Sequence, residues 1–116
     1  MNWVRVGPPH AIPAERAVTL LLPDGSQVAV FRTHDDQVLA VTNRDPISGA
    51  NVLARGIVGS RDGGPTVTSP MHKQVFCLVT GRCLSEPAPT LARHRIRDRG
   101  GVIWVDPNPI ISAEGG

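Results

Sequence analysis

Short runs of β-branched and aliphatic residues, each ended by turn residues, constrain the fold of this chain more than any other feature. Eleven prolines and twelve glycines are spread over the 116 residues and separate these runs. The pattern is typical of a small sandwich or barrel. Because a chain of this length can build one hydrophobic core but not two, the sequence predicts a single all-β, antiparallel domain.

The turn residues also predict where the strands lie. Pro23-Asp24-Gly25 is a strong turn signal between the first two predicted strands, and we expect a three-strand meander here, followed by a loop-rich segment at 43–64. Only 13–16 favours a helix, and it is too short to matter. The predicted strands are 17–22, 27–32, 38–42, 66–68, 73–79, 82–84, 91–97 and 102–105, with 73–79 and 82–84 forming a hairpin and the last two pairing with each other. We expect one domain at 1–106, with its core at 17–105, and a C-terminal tail at 107–116.

Composition and charge exclude several classes of function. Two Trp, two Phe and no Tyr leave few rings for a base-stacking nucleic-acid surface, and a formal charge of +2 does not imply a polyanionic partner. Residues 1–10 lack the apolar run of a signal peptide. No stretch approaches the roughly 20 apolar residues of a membrane helix. We therefore expect a cytoplasmic protein that binds neither nucleic acid nor membrane.

Two loops carry a resemblance to a known domain: NRDPISGANVL at 43–53 and SPMHKQVF at 69–76. Their layout resembles the Rieske domain, in which a Cys-x-His loop and a Cys-x-x-His loop bind a [2Fe-2S] cluster. On that pattern Asp45 and Ile47 stand at the first Cys and His positions. Ser69 stands at the second Cys position, and His72 alone keeps its identity. The resemblance covers about 17–105 and implies an antiparallel sandwich or partly open barrel with two long loops.

The surviving residues do not suit an iron–sulfur cluster, because thiolates and imidazoles are the ligands that hold it. Ile47 cannot bind iron, Ser69 would bind very weakly, and Asp45 could bind only through oxygen. We therefore expect this chain to bind no cluster and no other cofactor. A zinc site is also disfavoured, since the His and Cys intervals are irregular; the residues concerned are His72, Cys77, Cys83 and His94. The two cysteines are expected to be free thiols.

The residues that replace the ligands resemble a particular family. The small subunit of assimilatory NAD(P)H-dependent nitrite reductase shows N-x-DP-x-SGANVL-x-RG and SP-x-x-KQ-x-F, and this chain reads NRDPISGANVLARG and SPMHKQVF. The resemblance implies a non-catalytic subunit that supports a large subunit, which would carry FAD, sirohaem and a [4Fe-4S] cluster and reduce nitrite to ammonium with NAD(P)H. Two alternatives stay open: a free-standing Rieske-like interaction module, and a Rieske-type ferredoxin of an oxygenase, which the ligand count disfavours.

The remaining candidates are side chains that could hold the loops together. Asp45 before Pro46 is typical of a turn in which the carboxylate accepts hydrogen bonds from loop amides, and Asn43 and Asn51 favour the same interpretation. We expect side-chain hydrogen bonds, with Asp45, Ser69 and Asn51 as the candidates, to replace the cluster as the link between the loops. A lone loop histidine is more often neither ligand nor catalyst, so we expect His72 to be structural or a plain loop residue.

Two groups of residues are candidates for docking a partner. The first lies at the loop tip that a Rieske domain presents to its redox partner, and comprises Arg44, His72, Lys73 and Gln74. The second is a run of arginines with period two, which share a face while the strand lasts: Arg93, Arg95, Arg97 and Arg99. This run is either a solvated, protected edge or a docking stripe for an acidic partner surface.

Overall fold

The computed structural model describes residues 2–110. This part of the chain is all-β, as predicted, with ten strands and two short 3-10 helices at Pro9–Ala11 and Leu53–Arg55. The strands are β1 Val4–Gly7, β2 Arg16–Leu21, β3 Gln27–Arg32, β4 Val38–Thr42, β5 Ile57–Arg61, β6 Gly64–Thr68, β7 Val75–Cys77, β8 Arg93–His94, β9 Ile96–Arg99 and β10 Val102–Val105. No helix in the described residues is long and apolar enough to cross a membrane.

The strands form three antiparallel sheets of order β1-β10-β9, β2-β3-β4-β8 and β5-β6-β7. The predicted meander is confirmed as β2-β3-β4. Its first turn follows from local chemistry: the Asp24 carboxylate accepts hydrogen bonds from the backbone N–H and hydroxyl of Ser26, and Gly25 adopts a φ of 90° that suits glycine.

The central sheet has a hydrophobic cluster on each face. Successive residues of a strand point to opposite faces, and β3 accordingly sends Ala29 and Phe31 into one cluster and Val28 and Val30 into the other. The first cluster also contains Val67 and Phe76 of the β5-β6-β7 sheet, together with Val41, Leu53, Leu78 and Leu91. The second contains Val105 of β10, together with Ile12, Leu22 and Ala40. β3 therefore contributes to two separate clusters, one shared with the β5-β6-β7 sheet and the other with the β1-β10-β9 sheet.

Several strand predictions were wrong. Residues 57–61, predicted to be loop, form β5 and pair with β6; the intervening turn places Asp62 and Gly63 at positive φ. The predicted hairpin of 73–79 with 82–84 reduces to the three residues of β7 and one bridge between Phe76 and Cys83. The reason is a turn immediately after β7, in which the Gly81 N–H donates to the carbonyl of Cys77.

The chain ends also differ from expectation. β1 pairs with β10, and Ile12 is fully buried, so the core begins well before residue 17. Glu15 has a φ of 61° within a turn, and 13–16 is not helical. In the predicted tail, Ile110 exchanges two backbone hydrogen bonds of 2.7 Å with Arg93, while 111–116 lie outside the described residues.

Candidate functional site at the paired loops

Asp45 and Ser69 lie at the centre of the site. Both are completely buried, and the Ser69 hydroxyl donates a hydrogen bond to Asp45 Oδ2. Asp45 Oδ1 accepts hydrogen bonds from the backbone N–H groups of Ile47 at 2.8 Å and Ser48 at 3.0 Å. The carboxylate therefore closes its own loop and binds the facing loop, which confirms the prediction that these two residues link the loops.

Backbone hydrogen bonds complete each loop. In the first, the Asp45 N–H donates to the Ala50 carbonyl and the Gly49 N–H donates to the Asp45 carbonyl, both at 2.8 Å. In the second, the Ser69 N–H donates to the Gln74 carbonyl at 2.8 Å and the Lys73 N–H donates to the Ser69 carbonyl at 3.0 Å. Asp45 and Ser69 thus each make the backbone hydrogen bonds that close their own loop.

The environment of Asp45 favours its charged form. Burial raises the pKa of this carboxyl, but hydrogen bonds from the Ser69 hydroxyl and the N–H groups of Ser48 and Ile47 outweigh it, and the pKa is lowered from its ordinary value. The nearby His72 adds a smaller effect in the same direction. The link between the loops is therefore a charge-assisted hydrogen bond, which is stronger than a neutral one.

Asn43, which is also buried, holds the first loop in place. Its Oδ1 accepts a hydrogen bond from the Ala54 N–H at 2.7 Å, and its Nδ2 donates to Gln27 Oε1 at 3.0 Å. Asn51, which we had expected in this role, is exposed and pairs with Arg44 through a backbone bridge. The sequence had indicated a turn-type role for Asn43, and its hydrogen bond to Gln27 in addition joins the loop to β3.

The residues at the ligand positions do not fit a [2Fe-2S] cluster. Asp45 and Ser69 bind each other, Ile47 offers only hydrocarbon and is 45% exposed, and His72 is exposed. Elsewhere in residues 2–110 no three His, Cys, Asp or Glu side chains are grouped as metal ligands. Cys77 and Cys83 are free thiols, as predicted.

The tip candidates for docking divide into two kinds. Arg44, His72 and Lys73 are exposed, as are Ile47 and Met71 in the same two loops. The role of the first three in docking stays a prediction. The prediction that Gln74 helps to dock a partner was wrong. This residue is buried, and its Nε2 donates to Glu86 Oε1 at 2.6 Å, so it is not available to a partner.

The arginine run does not form one stripe, because the predicted strand 91–97 divides at Arg95. β8 pairs with β4 in the central sheet, whereas β9 pairs with β10. Arg93 is half-buried and donates to the Val79 carbonyl at 2.9 Å, and Arg95 lies 3.9 Å from Asp106. Arg97 and Arg99 are exposed on β9. Their neighbours on this surface were not identified from the sequence.

The structure also brings together a surface that sequence reasoning missed. Trp3, Arg5 and Trp104 line a groove with Arg97, Arg99 and Val102. Trp104 alternates with the buried Ile103 and Val105 along β10, so period-two alternation was a usable signal that one tryptophan faces outward. The position of β1 beside β10 had no such signal.

The comparisons with known proteins match this geometry. The family described as the Rieske-like [2Fe-2S] domain matches residues 2–106. The chain belongs to this family. It is also 40% identical to the nitrite reductase (NADH) small subunit of Salmonella typhimurium, over 71% of this chain and 77% of that one. A crystal structure from Mycobacterium tuberculosis, assigned as the small subunit of an NADH-dependent nitrite reductase, superimposes with a TM-score of 0.83 at 44% identity and covers 89% of this chain and 92% of that one.

A longer relative shows the same domain in another setting. The nitrite reductase [NAD(P)H] large subunit of Klebsiella oxytoca is 35% identical over 103 residues, which is 89% of this chain but 11% of that protein. A domain of this kind therefore occurs within a single polypeptide named as a large subunit. Among its Rieske-like relatives, this chain is of the nitrite reductase small-subunit type.

Proposed function

We propose that this chain is the small, non-catalytic subunit of an NAD(P)H-dependent assimilatory nitrite reductase, which reduces nitrite to ammonium in the cytoplasm. The observation that carries the proposal is the similarity to nitrite reductase small subunits over most of both chains, with 40% identity to the Salmonella protein. The match within a Klebsiella large subunit supports a large-subunit partner, because it places such a domain in the same polypeptide.

The role proposed for the chain is structural support rather than electron transfer. The positions that would hold a cluster carry Asp45, Ile47 and Ser69, and the first and last of these bind each other. FAD, sirohaem, a [4Fe-4S] cluster and NAD(P)H accordingly belong to the large subunit in this proposal. The ferredoxin alternative requires a redox centre for which these residues are unsuited, and no observation favours a free-standing module.

A gene deletion in the native organism tests the proposal. A strain without the chain should grow more slowly than its parent with nitrite as the sole nitrogen source and equally well with ammonium. Its extracts should show a lower rate of nitrite-dependent NADH or NADPH oxidation, restored by a plasmid copy. Unchanged growth on nitrite and an unchanged oxidation rate would contradict the proposal.

A further inference from the structure

The outer face of the β1-β10-β9 sheet carries a row of tryptophan and arginine side chains. The strand register places Arg5 opposite Trp104, Trp104 opposite Arg97, and Val102 opposite Arg99. Directly opposed residues of antiparallel strands point to the same face. The alternate residues of these strands point inward, where Val4, Val6, Ile96 and Val105 pack in the second cluster.

These outward side chains form one groove, which we call the Trp–Arg face: Trp3, Arg5, Arg97, Arg99, Val102 and Trp104. The Arg97 guanidinium lies 4.6 Å from the centroid of the Trp3 ring, a cation–π contact. The lining includes no carboxylate, and neither ion pair found in residues 2–110 involves Arg5, Arg97 or Arg99. The face is therefore positively charged and not neutralised by the described chain.

The phenylalanines and the tryptophans of this chain differ in burial. Both phenylalanines, Phe31 and Phe76, are completely buried, whereas both tryptophans lie half-buried on this one face. The indole nitrogen of Trp3 is shielded from solvent and has no acceptor among the described residues. Tryptophan and arginine are the side chains most enriched at the energetic centres of protein interfaces, so their grouping here is typical of a docking surface.

We propose that the Trp–Arg face binds an acidic segment of the large subunit, an inference that rests on the function proposed above. Charge complementarity selects the occupant, since three guanidinium groups without carboxylate partners favour an anionic surface. Arg5 and Arg97 lie on the two strands that flank β10, about 10 Å apart, so each can pair with a separate carboxylate of one segment. Trp104 between them offers an apolar contact to the same segment.

A protein segment fits this face better than a phosphate-bearing ligand. Phosphate sites commonly use backbone N–H groups at helix N-termini or in glycine-rich loops, whereas this groove is lined by side chains of β1, β9 and β10 and by Trp3 just before β1. The proposal places docking on a different sheet from the paired loops at Asp45 and Ser69. The small subunit would then bind its partner without using the two loops that correspond to the cluster-binding loops of a Rieske domain.

Fluorine NMR tests where docking occurs, because the chain has only two tryptophans and both lie on this face. The full chain is labelled with 5-fluorotryptophan and titrated with the unlabelled large subunit. Both resonances should shift or broaden as the complex forms, and they should keep their positions when the labelled chain is diluted alone. Binding, measured separately by calorimetry, that leaves both resonances unchanged would overturn the proposal.

Charge reversal provides an independent test by calorimetry. Arg97→Glu/Arg99→Glu should weaken the affinity for the large subunit by about tenfold or more. Arg55→Glu, an equal change per residue at an exposed arginine outside the face, and Lys73→Glu at the loop tip should change it less than about threefold. Because Arg97 contacts Trp3, Arg99→Glu alone serves if the double variant fails to fold, with the same direction expected.

The other outcomes are also decisive. A loss of affinity in Lys73→Glu but not in the Arg99 variants would place docking at the loop tip and overturn the proposal. Concentration-dependent shifts without the large subunit would identify a second copy of this chain as the occupant and also overturn it. Failure of the unmodified chain to bind the large subunit at all would contradict the proposed function itself.

Discussion

At the scale of single residues, the site is organised by one buried carboxylate. The Asp45 carboxylate accepts hydrogen bonds from two backbone N–H groups of its own loop and from the hydroxyl of Ser69 in the facing loop. A buried charge is tolerated only when it is paired or hydrogen-bonded, and here three donors meet that need. Where a Rieske cluster would join two loops, this chain joins them by hydrogen bonds.

A double-mutant cycle measures this link. Asp45→Ala should lower the free energy of unfolding by about 3 kcal/mol, because it leaves buried donors without an acceptor, and Ser69→Ala by about 1–2 kcal/mol. The double variant should show a coupling energy of about 1 kcal/mol or more. Urea denaturation gives these values, with the exposed Ser60→Ala as a control expected within about 0.5 kcal/mol of the parent. Strictly additive effects would show that the two side chains do not interact.

The lowered pKa of Asp45 predicts the sign of a pH effect. Because the folded pKa lies below the unfolded value of about 3.9, the stabilisation is complete above that value and is lost as the pH falls through the folded pKa. Stability measured from pH 6 to pH 2 should therefore decline less steeply in Asp45→Asn, which keeps an acceptor but does not titrate. The same slope in both proteins would contradict the assignment.

The residue scale was also where sequence reasoning succeeded most and failed most clearly. Asp45 and Ser69 were predictable because the resemblance places them at the two cysteine positions of facing loops, and because Asp45 before Pro46 is typical of a turn. Gln74 was not, since the acceptor of its side-chain hydrogen bond, Glu86, lies twelve residues along the chain. Arg93 was grouped with the other arginines because the sequence does not show that the predicted strand 91–97 divides. One part of it pairs in the central sheet and the other part pairs with β10.

At the scale of elements, tight turns decide where strands end. The meander was predictable because strong turn residues bound it, whereas β5 was missed because a Gly-rich stretch with few apolar residues does not indicate a strand. Ile57 of that strand is 72% exposed, so the presence of this hydrophobic residue did not indicate a buried strand. The turn after β7 depends on Gly81, whose φ of 81° brings its backbone against Leu91.

Gly81 offers a matched comparison with Gly25, since both have positive φ. A Cβ at Gly81 would lie 2.4 Å from the Leu91 carbonyl oxygen, whereas a Cβ at Gly25 would meet nothing within 4 Å. Gly25→Ala should therefore cost only the backbone strain, about 1 kcal/mol. Gly81→Ala should cost about 3 kcal/mol or more, because overpacking adds to the strain. Equal unfolding midpoints for the two variants would contradict the packing around this turn.

At the scale of the whole molecule, the domain has a Rieske-like architecture, with Asp45, Ile47 and Ser69 at three of the four ligand positions. The sheets, the paired loops and the core around β3 are kept together by packing and by the hydrogen bonds of Asp45, Ser69 and Asn43. The overall fold was predictable because the resemblance covered most of the chain. The Trp–Arg face was not, because it combines β1 near the N terminus with β9 and β10 near the C terminus.

The most direct test of the account is the absorption spectrum of the complex isolated through a tag on this chain, from native cells grown on nitrate. We predict a large partner with flavin and sirohaem bands that oxidises NADH or NADPH when nitrite is added, and a small subunit that is colourless once separated from it. A Rieske-type spectrum from the separated small chain, or an eluate without a large partner, would contradict the account.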